Sequence, residues 1–191
     1  MKPSKKTFAK LKEEIYKNAF RLFCDSCFLF HKESFPSSFA LSILSLEELG
    51  KLEMVDHICG EIPHMSESRA AEHIQHLFSR GMYFSHKNKQ IWASMDDLST
   101  DKKRLKNIGD GNLDKEKQKA FYVGFDKRIQ SPLKISSQKA YSELKITFQK
   151  FISIRDLGFN GFDCWTTQES EEEVNKYIKK LETNFQGLKK P

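Results

Sequence analysis

The run from Ala40 to Leu52 constrains this chain most, because it has the apolar spacing of a buried helix yet carries Glu47, Glu48 and Lys51 in its middle. On a helical wheel Glu48 falls among Leu41, Leu44, Leu52 and Val55, the stripe expected to face the interior. Glu47 and Lys51 share the neighbouring stripe with Ala40, Ile43, Met54 and Ile58. A carboxylate moved into low dielectric without a partner is strongly destabilising, so Glu48 is expected to meet a cation or donor from another helix, or to be protonated. For Glu47 the plainer alternative is an i,i+4 surface pair with Lys51, worth roughly 0.3–0.5 kcal/mol.

Helical periodicity extends to most of the 191 residues. Phe8, Leu11, Ile15, Ala19, Leu22 and Leu29 predict one long amphipathic helix over 4–32. Ser34 to Ser38 breaks the pattern around Pro36, and the charged apolar run predicts a second helix over 37–59, stopped near Gly60 and Pro63. A third helix is expected from Ser66 through Phe78, and a fourth from Met82 to Met95 after a break at Gly81. The stretch 97–117 is polar, contains Gly109 and Gly111, and predicts a loop. Ala120 to Phe125 reads as a short strand or an extended segment, Ser136 to Leu157 as a helix, and Thr166 to Phe185 as a last helix opened by a Thr166–Glu169 capping box. Together these elements predict an all-α fold, an antiparallel bundle of five or six helices with a polar loop near 97–117, forming one domain over 1–191.

Sixteen Phe supply core volume, and no run of about 18 apolar residues offers a membrane span. Basic residues near Met1 are followed by Lys10, Lys12, Glu13 and Glu14 instead of an apolar signal core, so a cytoplasmic protein is expected. A net charge of +6 permits an acidic partner such as RNA. Two basic clusters, Lys102–Lys106 and Lys115–Lys119, lie in the polar stretch and read more simply as a solvated loop. Cys24, Cys27 and His31 lack a fourth ligand for a structural zinc site and sit among phenylalanines, so the cysteines are expected as small buried hydrophobes, with no metal or cofactor.

The second charged segment is His86-Lys87-Asn88-Lys89-Gln90. In a helix His86 and Lys89 form an i,i+3 pair on an otherwise apolar face, so a contact from either to Glu47 or Glu48 would resolve the burial problem. An ion pair that only ties helices together is the structural alternative. Arg80 precedes His86 by six positions, which in an unbroken helix turns the two side chains apart unless Gly81 breaks it. Arg69 and His76 repeat a similar spacing, so spacing alone does not single out one pair.

The segment Ser45 to Lys51 resembles the Glu-Glu-Leu-Gly-Lys signature of the AbiV family of bacterial abortive-infection proteins, within the HEPN superfamily. His86 to Gln90 resembles its His-Lys-x-Lys segment, and Lys119 to Val123 its Tyr-Val-Asp segment, with Gly124 in place of the Asp. The resemblance spans roughly residues 10–155. It implies a helical HEPN bundle, often a homodimer, acting in antiviral defence by blocking phage or host gene expression. Many HEPN proteins are metal-independent ribonucleases with an Arg, four to six residues, then a His; on this chain that pattern lands on Arg80 and His86.

The expected chemistry is RNA cleavage by attack of a 2′-hydroxyl on the adjacent phosphate. His86 would act as general base or acid, Arg80 or Lys89 would stabilise phosphate charge, and Glu47 or Glu48 would orient His86. Lys51 and Lys89 are further candidates for contacting substrate, and Tyr122 for stacking on a base, with a packed core tyrosine as the plainer alternative. The rival expectation is a non-enzymatic defence protein in which the same charges fix helix register while the basic stretch or a dimer surface captures a phage protein or part of the translation machinery.

Overall fold

The computed structural model describes residues 5–61, 85–94, 102–122, 124–126, 128–158 and 182–188, with 69, 176, 179 and 180. Helix α1 spans Lys5–His31 and α2 spans Phe35–Glu61. The short helices α3 (His86–Ala93), α4 (Lys102–Gly109) and α5 (Asn112–Phe121) follow. Strands β1 (Gly124–Asp126) and β2 (Arg128–Gln130) form an antiparallel hairpin, with Phe125 opposite Ile129, and a single 3-10 turn at Pro132–Lys134 leads into α6 (Ser137–Gly158). The expected all-α bundle therefore forms, with the hairpin as a minor appendage. No helix of the described residues is long and apolar enough to cross a membrane.

Helix α1 ends at a sharp reversal. Glu33 takes a left-handed φ of 59°, which lets its amide donate to the Phe30 carbonyl and the Ser34 amide to the Leu29 carbonyl, both at 2.9 Å. Pro36 is the second residue of α2, where its missing N–H is not needed.

Helix α2 is the axis of the fold, packed against α1, α3, α5 and α6. Phe39, Ala40, Ile43, Leu46, Leu49, Leu52, Met54 and Val55 are all buried, so apolar burial runs almost completely around it. Small serines let its neighbours come close and are satisfied by them. Ser42 Oγ meets Thr147 Oγ1 of α6 at 2.9 Å, and Ser45 Oγ donates to the Ala19 carbonyl of α1 at 2.7 Å. Phe23, Phe148 and Phe151 fill the α1–α6 contact, where Phe185 stacks on Phe148 with ring centroids 4.6 Å apart.

Two expectations need correction. The polar stretch is helical over 102–109 and 112–121, joined at Gly111, whose φ of 68° suits a glycine. Its core positions are Ile108, Leu113 and Ala120, and the position that completes the spacing, 117, holds a lysine. The helix expected from Met82 starts at His86, because Ser85 has extended backbone and caps the first turn by accepting from the Asn88 amide at 3.2 Å. The helix expected from Ser66 to Phe78, the Gly81 break, Arg80 and the capping box at Thr166 lie outside the described residues. Cys27 is buried and Cys24 half-buried, both as free thiols.

Candidate functional site

Helices α2, α3 and α5 converge on one carboxylate. Glu47 is 1% exposed, whereas Glu48 lies half-buried at the edge of α2 in an i,i+3 pair with Lys51 at 2.6 Å. The burial expected of Glu48 therefore belongs to Glu47, and the expected Glu47–Lys51 pair is replaced by Glu48–Lys51. The cause is the packing around α2: a wheel ranks faces by apolar content, but α3 and α5 both crowd the Glu47 side while the Glu48 side keeps partial contact with solvent.

Gly50 makes that crowding possible. A Cβ placed there would stand 1.9 Å from the Lys89 carbonyl oxygen and 3.0 Å from the Ala93 amide nitrogen, so α3 crosses α2 backbone against backbone. The glycine three residues after Glu47 thus seats the first turn of α3 over the carboxylate.

Both Glu47 oxygens are satisfied. Oε1 accepts from Gln90 Nε2 at 2.7 Å and from Lys117 Nζ at 2.6 Å. Oε2 lies 2.6 Å from His86 Nδ1 and 3.8 Å from Lys89 Nζ. A carboxylate only accepts, so the short His86 contact places the hydrogen on Nδ1. Lys117 Nζ, 3.1 Å from the same nitrogen, would serve the opposite tautomer as a donor. Lys117 is itself 2% exposed and also pairs with Asp114 at 2.9 Å. A buried ion pair is tolerated when its remaining hydrogen-bonding capacity is engaged, which the Gln90 and His86 hydrogen bonds do, with Asp114 adding an ionic contact.

The His86 side chain is 51% exposed. Its Nδ1 is held by the buried network, which leaves Nε2 as the nitrogen a ligand can reach. A buried carboxylate behind an accessible imidazole fixes the ring and its tautomer and leaves one nitrogen for proton transfer. Donor atoms of Glu47, His86 and Asp114 also lie within 4.8 Å of one another, the spacing of a three-ligand metal site, and Lys117 Nζ contacts all three residues. An ammonium thus supplies positive charge where a metal ion would.

Among the other expected site residues, Lys89 joins the network at long range and Lys51 is engaged by Glu48. Tyr122 is 66% exposed just beyond α5, so it is not a core tyrosine. Gln90 and Lys117 were not expected. Gln90 follows His86 by four positions and so shares its helix face, a signal present in the sequence. Lys117 follows Leu113 by four and precedes Ala120 by three, a core register obscured by its charge.

A family model described as AbiV, of the HEPN type, matches residues 7–152, an interval that contains every member of the Glu47 network. The chain belongs to the AbiV family. The AbiV match agrees with the resemblance carried by Ser45–Lys51 and His86–Gln90 and places the protein among HEPN-type abortive-infection defence proteins. No curated protein and no solved structure matches the chain.

Proposed function

We propose that this AbiV protein defends against phage as a metal-independent ribonuclease, with His86 as the proton-transfer residue. The observation that carries the reading is the 2.6 Å contact between the half-exposed His86 and the fully buried Glu47. His86 Nε2 takes the proton of a 2′-hydroxyl, and the 2′-oxygen attacks the adjacent phosphorus. The bond to the 5′-oxygen breaks, and the imidazolium returns its proton to that leaving group. The products are a 2′,3′-cyclic phosphate and a 5′-hydroxyl. Glu47 holds the ring and stabilises its positive charge between the two transfers. Lys89 and Arg80 are assigned to the charge that develops on phosphate oxygens, and Tyr122 to an adjacent base.

The test is purified protein with end-labelled single-stranded RNA in excess chelator. Cleavage to cyclic-phosphate ends is expected from the native protein, none from His86→Ala, and none on a 2′-deoxy strand. Undiminished phage resistance in cells carrying a stably folded His86→Ala variant would refute the enzyme and leave a protein that acts by capturing a phage or translation component.

A further inference from the structure

Helices α4 and α5 concentrate charge beyond what the site uses. Residues 102–121 hold seven Lys or Arg against three Asp or Glu, a net +4 in a chain whose total is +6. Two of these cations are committed, Arg104 to Glu143 and Lys117 to Glu47, while the carboxylate of Glu116 answers Lys139 instead of a neighbouring lysine. Lys102, Lys103, Lys106, Lys115 and Lys119 remain exposed. None of the five has an ion-pair partner among the described residues, and exposed positive charge at this density favours a polyanion through counterion release.

The same helix ends in two exposed rings. Phe121 is 43% and Tyr122 66% exposed, and their centroids lie 6.2 Å apart, tilted by 57°. Phe121 follows Lys117 by four residues and Asp114 by seven, so it continues along α5 the side that meets the Glu47 network, about 6 Å further along the axis at 1.5 Å per residue. Exposed aromatic faces beside unpaired lysines are the combination that holds unpaired bases on their π-faces and backbone phosphates on ammonium groups.

We infer that α4, α5 and the Phe121–Tyr122 pair form a track for single-stranded RNA that delivers an unpaired nucleotide to His86. This rests on the RNA reading of the site and adds to it the substrate's strandedness and the residues that select it. Duplex RNA keeps its bases stacked inside the helix and presents none to the rings.

Binding is measured by fluorescence anisotropy with a labelled 2′-O-methyl oligonucleotide, which cannot be cut by 2′-hydroxyl attack, beside a duplex of equal length. The single strand is expected to bind more tightly. Phe121→Ala with Tyr122→Ala should weaken it by roughly ten-fold or more. Lys115→Gln with Lys119→Gln should make the slope of log affinity against log salt shallower by about 1.4, two phosphate contacts at 0.7 each. Phe121→Leu with Tyr122→Leu keeps apolar area without a π-face and should bind as poorly as the alanine variant. Native affinity in the alanine or leucine variant, or equal affinity for the duplex, would overturn the track. A fall in solution mass in the alanine variant with unchanged affinity would show instead that the rings join two copies of the chain. Ring-dependent binding without cleavage of ordinary RNA would remove the nuclease reading alone, and cleavage with ring-independent binding would remove the track alone.

Discussion

Replacing Gly50 by Ala sets two effects against each other, and their magnitudes decide the outcome. Helix propensity favours the change, by up to about 1 kcal/mol in an interior turn. The new methyl, however, would stand 1.9 Å from the Lys89 carbonyl oxygen and 2.8 Å from its carbon, both backbone atoms of α3. Restoring a contact of 3.4 Å requires α3 to retreat by about 1.5 Å. Overpacking costs about 1–3 kcal/mol, and a clash with backbone atoms belongs to its upper part, about 2–3 kcal/mol, so the net loss after the propensity gain is about 1–2 kcal/mol. For a chain of this size that lowers the melting temperature by roughly 2–8 °C. The functional loss is larger, because a 1.5 Å retreat lengthens the His86–Glu47 contact from 2.6 Å beyond hydrogen-bonding distance. Misplacement on this scale costs roughly 100-fold in rate. Gly109→Ala is the control, since a Cβ there meets nothing within 4 Å. Differential scanning calorimetry and the RNA cleavage assay read both quantities. A Gly50→Ala protein that melts at or above the native temperature, with His86 chemistry intact, would refute the close-approach explanation of this glycine.

Lys117→Met leaves Glu47 buried without its nearest cation and should cost about 3–5 kcal/mol in urea unfolding, whereas Glu47→Leu with Lys117→Met should recover most of that loss while remaining inactive. Additive effects in that cycle would mean that the 2.6 Å pair is not coupled. Glu33→Gly relieves a left-handed φ of 59° and should stabilise by about 1 kcal/mol; a destabilised variant would show that the Glu33 side chain holds the turn. Burial pushes the Cys27 thiol up to about 12. Its thiolate is then about one part in 10,000 at pH 8, so mass spectrometry after alkylation of the native protein should find Cys27 unmodified, and labelling as fast as in the unfolded chain would contradict its burial.

Much of the architecture was legible in the chain because helices announce themselves by spacing. The apolar positions of α1, α2 and α6 recur at intervals of three and four, and the structure places these helices within a few residues of the expected bounds. Helices α4 and α5 were hidden because they are short and a lysine occupies the central core position of α5, so the charge that marks the site also erased the periodicity that marks the helix.

The sequence by itself determined that α2 carries charge into an apolar helix and that His86 and Lys89 share a face able to answer it. Only the tertiary structure decided which carboxylate is buried. A wheel specifies the angle at which each side chain leaves its helix and says nothing of what stands at that angle. Helices α3 and α5 stand over Glu47, admitted by Gly50, whereas Glu48 keeps partial exposure and pairs with Lys51 of its own helix. The sequence likewise contains Lys117, but its pairing with a carboxylate seventy positions earlier exists only once α5 folds back onto α2. Long-range electrostatic pairing follows from the path of the chain, and local periodicity does not encode it.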